Sequence, residues 1–499
     1  MNTSIGRRES GSRIWLDGRL HCVASLYVMV VLLGVAGCSL APDHQTPPLP
    51  VAVVYPVDTG RQPAAPDGTI AVAIAWHNYF TDPYLQAVIE KALENNRDLR
   101  TAVLRVGEAR AAYGIQRANQ FPSVSANAYD SRERTPADLN TTGQVQTGSR
   151  YQVGLGLTTW ELDFWGRVRN LKDAALENYL ATDEARRAAT LSLIAQVANA
   201  YLTLRELDER SVLARQTIAS REESYRIFCR RYEVGAIARM DLVQVEVLLH
   251  QAQTLAAQLE QDRAAQAHAL TLLVGTSLAL LPAHFDDGSV AHNLHVGLPS
   301  EVLLQRPDIV AAEHQLRASH ANIGAARAAF FPRITLIGSY GTASAELSGL
   351  FDSGSRTWSF LPSVSLPIFD AGQNRASLNL AKVRSEIAVV NYEKAVQTAF
   401  REVSDALSAR EWLTEQVRIQ QATLAAQTER EHLARLRYDN GSAPYFEVLD
   451  AQRDLLSAEQ QLVQTRRALL SSRVSLYAAL GGGSQEFIEP PAAVSRPIN

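Results

Sequence analysis

The sequence predicts a mainly α protein with a small β part, built from one unit written twice: a β-hairpin followed by a long helical hairpin. Three observations predict this. Ordered motifs recur at offsets of 206 to 210 residues. Long proline-free tracts carry apolar residues at helical spacing. Short alternating segments, separated by loops rich in Gly, Ser and Thr, precede each tract.

The repeat is read first because it organises the rest. Ala112-Tyr113-Gly114 ahead of Phe121-Pro122 is echoed 210 residues later by Asn322-Ile323-Gly324 ahead of Phe331-Pro332. Arg231-Tyr232-Glu233-Val234-Gly235 is echoed 206 residues later by Arg437-Tyr438-Asp439-Asn440-Gly441. Leu270 and Gly275 match Leu476 and Gly481 at the same 206. A shorter loop in the second unit accounts for the difference. A period this long is a duplicated domain half, not a solenoid.

Composition narrows the function. The chain has 499 residues, 48 Lys and Arg against 52 Asp and Glu, and a net charge of −4. That argues against a nucleic-acid binder working through a broad basic face. The only long apolar run is 23–37, which argues against a polytopic inner-membrane transporter.

Taken in chain order, 1–37 is expected to be an export signal: Arg7, Arg8, Arg13 and Arg19 precede the apolar run. Val35-Ala36-Gly37-Cys38 resembles the lipobox of bacterial lipoproteins, which implies that Cys38 is acylated. Ser39, in place of Asp, favours the outer membrane by the same likeness, and several acyl chains anchor a protein stably. Residues 38–75 hold Pro42, Pro47, Pro48, Pro50, Pro56, Pro63 and Pro66, and read as an extended tether.

The first repeat is expected over 76–290, with strands at about 121–131 and 151–165 and a hairpin tip near 235. The second is expected over 291–485, with strands at about 331–343 and 356–369, a tip near 441, and a tail at 486–499. Val153, Leu155 and Leu157 alternate with Gly154, Gly156 and Thr158, a pattern that suits an outer-membrane strand and a soluble sheet alike. Residues 168–232 contain no proline, so a continuous helix there would run roughly 97 Å. Ile194, Val197, Tyr201 and Leu204 step by three and four. Val448, Leu455, Leu462, Leu469 and Leu476 step by seven, as do Ala451, Ala458, Thr465, Ser472 and Ala479. Sustained heptads mean helices packed side by side, with polar faces toward water. Four strands cannot close a barrel, since about eight are needed to surround an interior. Hairpins placed in lipid would therefore have to be shared among chains.

Several further stretches carry a resemblance. Gly297-Leu298-Pro299-Ser300, Leu303-Leu304-Gln305-Arg306-Pro307-Asp308-Ile309, Phe330-Phe331-Pro332, Leu449-Asp450-Ala451-Gln452-Arg453 and Leu480-Gly481-Gly482-Gly483 are similar to signatures of the outer-membrane efflux proteins. These are the TolC-like outer-membrane factors, and the likeness is strongest to their NodT-type lipoprotein branch. It covers essentially the whole chain after Cys38. It implies a homotrimer with an α-helical periplasmic tunnel capped by a shared twelve-stranded barrel. It also implies a passive exit duct for small molecules such as drugs. The partners implied are outer-membrane lipids, a periplasmic adaptor and an inner-membrane pump that is proton-driven.

The resemblance also implies a gate at the hairpin tips. Glu447 and Asp450 match the constriction carboxylates and share a helix face. Three copies would form an acidic ring that binds cations. Phe446 takes the apolar gate position, and Arg453 is placed to pair with Asp450. Asp241 and Tyr438 match latch residues. The usual latch arginine is absent, with Ala443 in its place.

No enzyme is expected: the chain has no Walker A, G-x-S-x-G or H-E-x-x-H pattern. No cofactor or metal site is expected either. His284, His292 and His295 read as a polar loop, and Cys229 as packing. The competing reading is a lipid-anchored periplasmic coiled-coil adaptor, although two helical hairpins in a duplicated chain argue against it.

Overall fold

The structure is a computed structural model and describes residues 39–56, 71–279, 287–291, 294 and 303–487. Cys38, the export signal, 297–300, His284, His292, His295 and the end of the tail from 488 lie outside the described residues. The chain is 67% helix and 12% strand, the balance the sequence predicts.

After a single turn at Trp76–Tyr79 come α1 (Pro83–Asn95) and α2 (Arg97–Ala118). Strands β1 (Val124–Thr135) and β2 (Gln146–Glu161) follow, then α3 (Arg167–Glu233) and α4 (Arg239–Val274). The order then repeats with α5 (Pro307–Ala328), β3 (Arg333–Ser344), β4 (Arg356–Ser365), α6 (Gln373–Asp439) and α7 (Tyr445–Ala479). Helices α3 and α6 have 67 residues each, and their returning partners have 36 and 35. Among the described residues no helix is long and apolar enough to cross a membrane.

Two compact units result, and each draws on both repeats. One comprises the chain to Gln45, Ala109–Tyr179 and Gln315–Ala388; the other comprises Thr46–Glu108, Leu180–His314 and the chain from Val389.

The first unit holds one antiparallel sheet in the order β1-β2-β3-β4. The strand bounds differ from the sequence reading. β1 starts at Val124 because Pro122 has no N–H to donate and Phe121 closes a turn onto the Ala118 carbonyl. It then runs on through Arg132, Glu133 and Arg134 to Thr135, paired with Gln146. The sequence predicts a loop beyond about residue 131, but a ladder bonds through the backbone and tolerates exposed charge. β2 and β4 end early, at Glu161 and Ser365, and short connections then lead into the long helices at Arg167 and Gln373. Asp163 accepts from the Arg169 N–H at 2.7 Å, and Asp370 accepts from Gly372 and Asn374 at 2.9 Å. The repeat thus places a capping carboxylate before each 67-residue helix, satisfying donors that a helix start leaves open. Those backbone N–H groups hold the Asp370 carboxyl below its usual range.

Gly154 faces Gly341 across β2 and β3. A Cβ on Gly341 would lie 2.2 Å from the Val153 carbonyl oxygen, so only glycine permits this approach.

The second unit is a helical bundle whose core follows the heptads. Val448, Leu462, Leu469 and Leu476 are buried, as are Ala451, Thr465, Ser472 and Ala479. Ile194, Val197, Tyr201 and Leu204 are buried on α3. The α3 charges depart from the expectation that the polar faces meet water. Asp208 is buried between Arg205 and Arg263, at 2.7 and 2.6 Å, and Glu206 is buried between Arg210 and Arg467, at 3.0 and 2.8 Å. Ions held this tightly out of water need all their partners. Arg306 is buried and donates to the Ala479 carbonyl at 2.6 Å and to Glu402 and Asp308 at 2.8 Å. The Gln-Arg-Pro-Asp stretch therefore ties the start of α5 to α6 and the end of α7.

The described stretch 46–56 of the proline-rich segment packs against the helices. Leu49 and Val51 pack on a cluster of Leu303, Ile309 and Tyr392, and Tyr55 stacks on Phe400 at 5.1 Å. Prolines keep this stretch extended, but Tyr55 is buried and Leu49 and Val51 are half-buried, while Val53 and Val54 stay exposed. Burial pushes the Tyr55 hydroxyl up to about 12.

Candidate functional site: the helical hairpin tips

Both helical hairpins turn at a glycine. Gly235 (φ 71°) and Gly441 (φ 67°) adopt the left-handed conformation that suits glycine just past a helix end. In each, the next residue closes the turn: Ala236 N–H to the Arg231 carbonyl at 2.8 Å, and Ser442 N–H to the Arg437 carbonyl at 2.9 Å. The local sequence therefore forces a reversal at the same place in each repeat.

An apolar cluster joins the two tips. Phe228, Leu242, Val245 and Leu449 are buried there, with Cys229, Tyr225 and Tyr445 packed against them. Cys229 is thus a packing residue. Tyr445 contacts Phe228 at 4.8 Å between ring centroids and hydrogen-bonds Ser224 at 2.7 Å. Phe446, one residue on, points outward and is 56% exposed. It lines a 420 Å³ groove with Met240, Val243, Val247 and Leu449, rimmed by Asp450 and Arg453.

Every carboxylate that the sequence assigns to the constriction meets an arginine. Glu447 pairs with Arg437 at 2.6 Å. Asp450 accepts from Arg430 at 2.7 Å and from Arg453. Arg430 also reaches Asp454 at 2.6 Å, and Arg453 reaches it at 3.0 Å. The tip of α7 is therefore close to neutral within one chain, not simply acidic. Hydrogen bonds from Arg430, then Arg453, hold the Asp454 carboxyl below its usual range. The same contacts, led by Asp454, raise Arg430.

The latch residues fall differently. The Asp241 carboxylate accepts the Ala238 N–H at 3.2 Å and caps its own helix. Tyr438 accepts from Arg231 of the other hairpin, and its ring meets Tyr445 edge-on at 4.8 Å. Sequence reasoning brought out the carboxylates and missed Arg430, Arg437 and Arg231. Arg231 and Arg437 begin the repeated Arg-Tyr motif, so the repeat itself marked them. Arg221 was also missed. It is buried, donates to the Leu449 carbonyl at 3.3 Å, and burial lowers its basicity.

Comparison with known proteins agrees with this architecture. The profile of the outer membrane efflux protein family matches residues 88–276 and 298–482. The chain is 43% identical over 465 residues to the probable efflux pump outer membrane protein TtgC of Pseudomonas putida, covering 93% of this chain and 96% of that one. It is 42% identical over 462 residues to the outer membrane protein OprJ of Pseudomonas aeruginosa, covering 92% and 95%. The solved open state of the Neisseria gonorrhoeae MtrE outer membrane channel is 40% identical, with a TM-score of 0.81 over 89% of this chain and 98% of that one. A match across both repeats does not favour the adaptor reading. The chain belongs to the outer membrane efflux protein family, as an outer-membrane channel component of an efflux system.

Proposed function

We propose that three copies of this chain share one twelve-stranded barrel and form a passive exit duct for small hydrophobic molecules and drugs, closed at its periplasmic end by the hairpin tips. The observation that carries this is the sheet. Among the described residues four strands run β1-β2-β3-β4, and β1 and β4 each have a neighbour on one side only. Lipid does not tolerate unpaired strand edges. Because all neighbours are antiparallel, β4 of one copy meeting β1 of the next keeps the alternation unbroken. Tyr340, Trp358 and Phe360 stand exposed on one face of the sheet, as side chains facing hydrocarbon do.

In this reading Cys38 carries the lipid anchor. A periplasmic adaptor and a proton-driven inner-membrane pump complete the assembly, since nothing in this chain supplies energy. Cargo of solvent or antibiotic type is supported by relatives named as toluene and antibiotic efflux pump outer membrane proteins. Phe446 is the apolar plug; Glu447, Asp450 and Arg453 form the charged constriction; Asp241 and Tyr438, with Arg231, hold the tips. Cysteines placed at Ser125 on β1 and Ser363 on β4 test the barrel. Oxidation is expected to give a covalent trimer ladder in outer membranes. Purely intramolecular products would overturn the shared barrel.

A further inference from the structure

The start of the described chain is fastened to α3 and α5. Ser39 Oγ donates to Asn170 Oδ1 at 2.9 Å, and Arg327 donates to the Leu40 carbonyl at 2.9 Å. The backbone of Ala41 lies over Gly324, where a Cβ would come within 2.7 Å of the Ala41 nitrogen. Gly114, its counterpart in the first repeat, has nothing within 4 Å. Glycine is thus needed at the covered position.

The fastening ends in two imidazoles. His44 Nδ1 and His320 Nδ1 are 3.4 Å apart, with ring centroids at 5.5 Å and planes tilted by 54°. Both rings are half-buried. A separation of 3.4 Å is long for a hydrogen bond, whose usual range ends near 3.2 Å. It fits the bite of a tetrahedral ion: two nitrogens at about 2.0–2.1 Å from Zn²⁺ lie about 3.3 Å apart.

We propose that His44 and His320 bind a divalent transition-metal ion of the Zn²⁺ or Cu²⁺ class through their Nδ1 atoms, clasping the N-terminal segment to α5. Imidazole suits these ions among the first-row metals. Among the described residues no group of three or more His, Cys, Asp or Glu gathers as a metal-holding cluster, and the proposed clasp rests on these two nitrogens. An imidazole ligates through an unprotonated ring nitrogen, so binding should release protons and weaken as pH falls.

The test uses the full chain purified in detergent, stripped with chelator and dialysed, then titrated with ZnCl₂ against a chromophoric competitor. One equivalent per chain is expected. H44A and H320A are each expected to weaken it at least about tenfold, the lower end of the loss seen when only an outer-shell partner is removed. H432A, at an exposed histidine of α6, should leave it unchanged. Loaded with Cu²⁺, the wild-type protein should show superhyperfine splitting from two nitrogens, reduced to one in H44A. That variant lies in a non-helical segment and keeps the test open if H320A does not assemble. No bound equivalent, or binding that survives the double substitution, overturns the site.

Discussion

Arg437 and Glu447 face each other across the Gly441 turn, with Nη1 and Oε2 2.6 Å apart. Two turns up the hairpin, Arg430 bridges Asp450 and Asp454. The constriction is thus a set of paired charges, and neutralising one partner exposes the other. In E447Q/D450N, Arg437 would lose its counter-charge, and Arg430 and Arg453 would be left sharing Asp454 alone. The pore should then shift from cation toward anion preference, read as a change of sign in the reversal potential under a KCl gradient. An unchanged potential removes these carboxylates from the constriction.

A second expectation separates the arginines. Arg430 holds two carboxylates of α7, whereas Arg437 holds one. Exposed pairs contribute about 0.2–1 kcal/mol each. R430A should therefore raise the open fraction in planar bilayers more than R437A does. Neither should change the melting midpoint much, because the tip's apolar cluster is untouched. Equal effects would show that α7 is not held by its pairing with Arg430.

Acid should not open the tip in the physiological range. The Asp454 carboxyl is held below its ordinary 3.8 by Arg430. What this pair contributes is fully present above that ordinary value, and it is lost only as pH falls through the lowered folded value. Conductance is expected to be flat from pH 8 to 5. A gate that opens near pH 5.5 would need another titrating group.

Gly341 tests the sheet. A Cβ there would also lie 2.5 Å from the Gly154 Cα, whereas Gly148, on the same strand as Gly154, has nothing within 4 Å of its Cβ position. G341A should cut the heat-modifiable assembled band severalfold, and G148A should leave it at wild-type level. Equal yields would mean that β2 and β3 do not approach this closely in the assembled protein.

Much of this was legible in sequence because it depends on local spacing. The long helix expected over 168–232 is observed at Arg167–Glu233, and eight of the ten heptad positions read on α7 are buried, Leu455 and Ala458 being half-buried. Gly235 and Gly441 mark the turns because only glycine adopts their backbone conformation cheaply. The Arg453–Asp450 pair was legible because it lies three residues apart on one helix, but pairing between helices was not. Arg430 reaches Asp450 and Asp454 across the turn, and Arg263 reaches Asp208 from another helix. No periodicity encodes such partners. The N-terminal segment misled for a related reason: prolines announce an extended chain, but not whether Leu49, Val51 and Tyr55 find a surface to cover.

The buried ions should matter far more than the exposed ones. The Asp208 side chain is 3% exposed and accepts from Arg205 and Arg263. The Arg205 side chain is itself only 6% exposed, so it has little water to turn to when the carboxylate goes. Breaking a buried pair from one side costs about 3–5 kcal/mol, because the remaining charge stays desolvated. D208N keeps the shape and removes the charge. It should lower the helical melting midpoint sharply, whereas E223Q, at an exposed pair with Arg226, should barely move it. The triple change D208L/R205M/R263M removes all three charges together and should recover most of the loss. If D208N melts like wild type, α3 and α4 are held by their apolar seam alone.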